Sequence, residues 1–60
     1  MIGYRIFFLD DLGHIKNSDE FFAQSDLDAL LRAGERRSHG ATELWSGARV
    51  VAKFPKRQDA

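Results

Sequence analysis

The stretch Tyr4-Arg5-Ile6-Phe7-Phe8-Leu9 constrains this chain more than any other. It is short, rich in β-formers and bounded by Gly3 and by the turn cluster from Asp10 to Gly13, so it reads as a strand. Tyr4, Ile6 and Phe8 alternate with Phe7 and Leu9, so both sides of that strand are apolar. A strand of this kind belongs in the middle of a sheet with something covering each face. In a chain of 60 residues a single helix can cover only one of them. The second face is therefore the first functional question that the sequence raises.

Length sharpens the problem. One domain is the most that 60 residues allow, and a single core of this size rarely supplies more than about 3–5 kcal/mol. There is no cysteine, which removes disulfides, thiolate zinc sites and thiol chemistry. With His14 and His39 as the only histidines, no metal site is expected and no cofactor-binding motif is present. Aromatic packing and self-association remain as sources of stability, and five Phe, one Tyr and one Trp suit both.

The rest of the chain supplies a helix and three more strands. Gly13 fits a positive φ at the end of the Asp10–Gly13 reversal. His14 to Asn17 returns as a strand, Ser18 to Glu20 reads as a bend or bulge, and Glu20 to Ala23 continues the strand, with a helical turn as the competing reading. Ser25, with Asp28 three residues on, gives a variant capping box for a helix over 26–38. Leu27, Leu30, Leu31 and Gly34 follow the i, i+3, i+4, i+7 spacing of its expected buried stripe, Gly34 allowing close approach to the sheet. Arg36, Arg37 and His39 lie toward the helix C-terminus, where cations suit the dipole, and Gly40 is the expected stop. Thr42 to Trp45, a Ser46-Gly47 turn and Ala48 to Phe54 form a hairpin that Pro55 ends. The expected fold is α+β: a ββαββ chain with a four-stranded antiparallel sheet and one helix packed on one face, spanning residues 1–55, with 56–60 a frayed tail.

Alternation along the last strand puts Val50, Ala52 and Phe54 toward the helix and Arg49, Val51 and Lys53 away from it. A plain two-residue turn then places Trp45 inward, in the core. A one-residue bulge at the turn would reverse it and set Trp45 beside Arg49 and Lys53 on the open face. The inward register is the expectation, because so short a chain needs its largest apolar side chain inside.

Charge excludes little but ranks the readings. The formal net charge is zero, which weakens any general attraction to nucleic acid or anionic lipid. Residues 1–30 nonetheless hold six acidic and two basic side chains, and residues 31–60 seven basic and three acidic. That split reads either as a basic recognition face or, preferably, as internal complementarity. No basic run precedes the apolar start of the chain, and no stretch approaches the roughly 20 apolar residues of a membrane span, so a cytoplasmic protein is expected.

The leading reading is a non-enzymatic protein-binding or structural accessory protein, a homodimer through the helix-free sheet face or an edge strand. The alternative is a small nucleic-acid-binding regulator using a basic strand face; Arg36, Arg37, His39, Trp45, Arg49 and Lys53 are the candidate partner or nucleic-acid face. A small ribonuclease using His14 or His39 is a weaker third class, since no nucleophile motif accompanies either histidine. No catalytic residue is assigned.

On Tyr4, Leu9, Asp10, Gly13, Phe21, Asp26, Ala29, Leu44, Trp45, Gly47 and Arg49, the chain resembles a group of very small uncharacterised bacterial proteins. These share a Tyr-rich first strand ending in Leu-Asp and a C-terminal Leu-Trp-x-Gly-x-Arg hairpin. The resemblance implies a common fold and a bacterial cytoplasmic setting, and carries no activity.

Overall fold

The computed structural model describes residues 1–37 and 40–56. The element order is β1 (Ile2–Leu9), β2 (Ile15–Ala23), α1 (Asp26–Arg36), β3 (Thr42–Ser46) and β4 (Arg49–Phe54). One four-stranded antiparallel sheet has the order β2-β1-β3-β4, with α1 on one face, as the apolar patterning requires. β1 is a central strand, paired with β2 on one side and β3 on the other.

The β1–β2 reversal is built by Asp10. Its backbone carbonyl accepts from the Gly13 amide, and its Oδ1 accepts from the Leu12 and His14 amides at 2.9 and 2.8 Å. Those amides hold the Asp10 carboxyl below its usual range, the His14 contact contributing most. Gly13 has φ 83°, the left-handed conformation that a side chain resists. β2 then runs unbroken through Ser18–Glu20. The irregularity expected there lies earlier, where Phe8 faces Asn17 and Leu9 faces Ile15, leaving Lys16 as the extra residue.

Helix α1 starts as the sequence indicates. Ser25 is extended and its hydroxyl accepts from the Asp28 amide at 3.2 Å. Asp28 closes the box one residue further back, on the Gln24 amide at 3.1 Å, and that contact leads in lowering its carboxyl pKa. The helix ends at Arg36, earlier than expected, because Arg37 is already extended; Ser38 and His39 lie outside the described residues.

The buried stripe differs from the expected one. Ala29 and Ala33 are fully buried, whereas Leu27 and Leu31 are 68% and 63% exposed and Gly34 faces open space. Small side chains let α1 lie close on Tyr4 and Ile6 of β1, Phe21 and Ala23 of β2, and Leu44 of β3. Leu30, Phe8, Val51, Ala52 and Phe54 pack around that core. The glycine that permits a close approach is Gly40. A Cβ there would lie 2.5 Å from the Leu9 carbonyl oxygen, at the point where the chain returns to β1 through the Leu9 amide and Ala41 carbonyl.

Candidate functional face

Trp45 does not enter the core. Leu44 faces Ala52, but Trp45 faces Val50, so Val51 is an extra residue in β4. This bulge sends Trp45 to the helix-free side, where it faces Arg5 of β1 and meets Phe7 edge-on at a ring separation of 6.4 Å. Its indole Nε1 donates to Glu43 Oε1 at 3.0 Å. The same bulge separates the expected trio. Lys53 faces Glu43 on the helix-free side, Val50 shares that side with Trp45, and Arg49 and Val51 turn toward α1 instead.

Four strands thus present one open face whose rows follow from the register. Gly3 lies opposite Phe22; Glu20, Arg5, Trp45 and Val50 form the next row; Ser18, Phe7, Glu43 and Lys53 the one after; Leu9 pairs with Ile15 beyond. Arg5 and Glu20 are ion-paired across β1 and β2. The Phe22 ring lies 3.6 Å from where a Gly3 Cβ would be, so it leans over the glycine and stands 63% exposed. Between Phe22 on one side and Phe7 and Trp45 on the other lies a groove of about 700 Å³, floored by Gly3 and Arg5 and reaching Gly47, Ile15 and Glu43. Apolar walls with a few charged groups suit docking of a side chain or a second surface.

The remaining candidate cations lie on the helix-bearing side and are occupied. The Arg49 guanidinium grips Asp26 at 3.1 and 3.3 Å, and the Tyr4 hydroxyl donates to the same carboxylate at 2.7 Å. Arg49 and then Tyr4 hold the Asp26 carboxyl below its usual range. The hydrogen bond to Asp26, reinforced by burial, pushes the Tyr4 phenol up. Arg36 pairs with Asp19 and lies over the Phe21 ring at 5.2 Å, at the β2 side of the helix. Arg37 points to the β4 side, over the Phe54 ring at 5.0 Å, its Nη2 donating to the Pro55 carbonyl at 2.7 Å. Arg36 and Arg37 therefore diverge, and His39 lies outside the described residues.

The uneven charge of the two chain halves is neutralised internally. Asp19, Asp26 and Asp11 from the first half meet Arg36, Arg49 and Lys56 from the second, and Asp28 meets Arg32 across the midpoint. His14 stands exposed on the β1–β2 turn, its Nδ1 4.0 Å from Asp10 Oδ2. No cluster of three or more potential metal ligands occurs among the described residues, and no helix there is long and apolar enough to cross a membrane.

The sequence left open whether Tyr4, Ile6 and Phe8 or Phe7 and Leu9 face away from the helix; the structure puts Phe7 and Leu9 there, with Phe22 and Gly3, which sequence reasoning did not place on that face. Their signal was present: an aromatic opposite a glycine in neighbouring strands is a pairing in which the ring covers the bare backbone. Comparison adds no relative from which a role could be transferred: no protein-family model matches the chain, and neither the curated proteins nor the solved structures compared with it give a match.

Proposed function

We propose that this is a small cytoplasmic, non-enzymatic protein that acts by docking through its helix-free sheet face, self-association being the first use of that face. The observation that carries the reading is the set of Phe7, Phe22 and Trp45 around an open groove, on the side of the sheet that no helix covers. Exposed aromatic side chains grouped around an open groove on a small domain are where interaction sites are found. The sparseness of the core supports the same reading, since only seven apolar residues are buried among those described and three of them are alanines. Edge pairing is less favoured. β4 is short, bulged and closed by Pro55, and β2 carries Lys16, Asp19 and Glu20 along its length, all features that discourage strand addition.

The nucleic-acid reading loses its basic strand face, because Arg49 serves Asp26 on the opposite side of the sheet from Trp45 and Lys53. The test of docking is a comparison of two exposed apolar sites. Phe22→Ser should lower the mass measured by light scattering, and Leu31→Ser on the helix should leave it unchanged. Equal masses for wild type and Phe22→Ser would remove the reading.

A further inference from the structure

We draw no further inference here: the strongest candidate, the open groove between Phe22 and the Phe7–Trp45 pair on the helix-free face of the sheet, belongs to the docking face already described, and nothing in the structure shows what covers it.

Discussion

Arg49 of β4 and Asp26, the first residue of α1, are joined by two parallel contacts of 3.1 and 3.3 Å, with the Tyr4 hydroxyl of β1 on the same carboxylate at 2.7 Å. The clasp ties the edge strand to the helix start and to the central strand. It also settles which way the bulged part of β4 turns, because Arg49 cannot serve Asp26 and the Trp45 side of the sheet at once.

Acid should loosen this clasp first. The folded Asp26 carboxyl titrates below its unfolded value, as do those of Asp10 and Asp28, so their stabilisation is complete above the ordinary aspartate range near ~3.9 and is lost as pH falls through the lower folded values. Tyr4 acts oppositely. Its pKa is raised, so its contribution is complete below about pH 10 and falls as pH rises through the folded value. Urea unfolding at a series of pH values should show an acid limb that becomes shallower in Asp26→Asn and an alkaline limb that becomes shallower in Tyr4→Phe. Unchanged limbs in both variants would contradict the assignment.

Two glycines should respond to alanine in opposite directions. At Gly40 the added methyl would meet the Leu9 carbonyl at 2.5 Å, and backbone has to move, so a loss of about 1–3 kcal/mol is expected. At Gly34 nothing lies within 4 Å, and alanine in an exposed helix interior should gain about 0.5–1 kcal/mol. Thermal unfolding of the two variants checks both signs.

The face that α1 presents to the sheet is open to the same kind of check. Leu27→Lys and Leu31→Lys should each change stability by no more than about 0.5 kcal/mol, since both side chains are in solvent. Ala33→Leu should cost about 1–3 kcal/mol by overfilling a fully buried position. The reverse order would mean that the leucines, not the alanines, face the sheet.

Much of the fold was legible because it depends on local chemistry. Ser25 and Asp28 mark the helix start, Asp10 and Gly13 the first reversal, and the doubly apolar β1 its central place. Two features were not legible, for physical reasons. α1 carries two apolar stripes, and hydrophobicity favours the one through Leu27 and Leu31. The closeness of the sheet favours the one through Ala29 and Ala33, and no measure of hydrophobicity along the helix contains that distance. The side of Trp45 turns on one extra residue in β4, and a bulge follows from pairing with β3, not from alternation within β4. Once the bulge is known, Lys53 keeps its expected side and Arg49 changes sides. Of the expected candidate residues, Trp45 and Lys53 share the open face with Phe7 and Phe22, while Arg36, Arg37 and Arg49 lie on the helix-bearing side.

Self-association through the open face is tested most directly by the mass of the protein in solution. Sedimentation equilibrium of the wild type, from micromolar to millimolar concentration, should fit a monomer–dimer equilibrium and approach twice the 6.8 kDa of one chain at the upper end. A single species of 6.8 kDa throughout that range would contradict it.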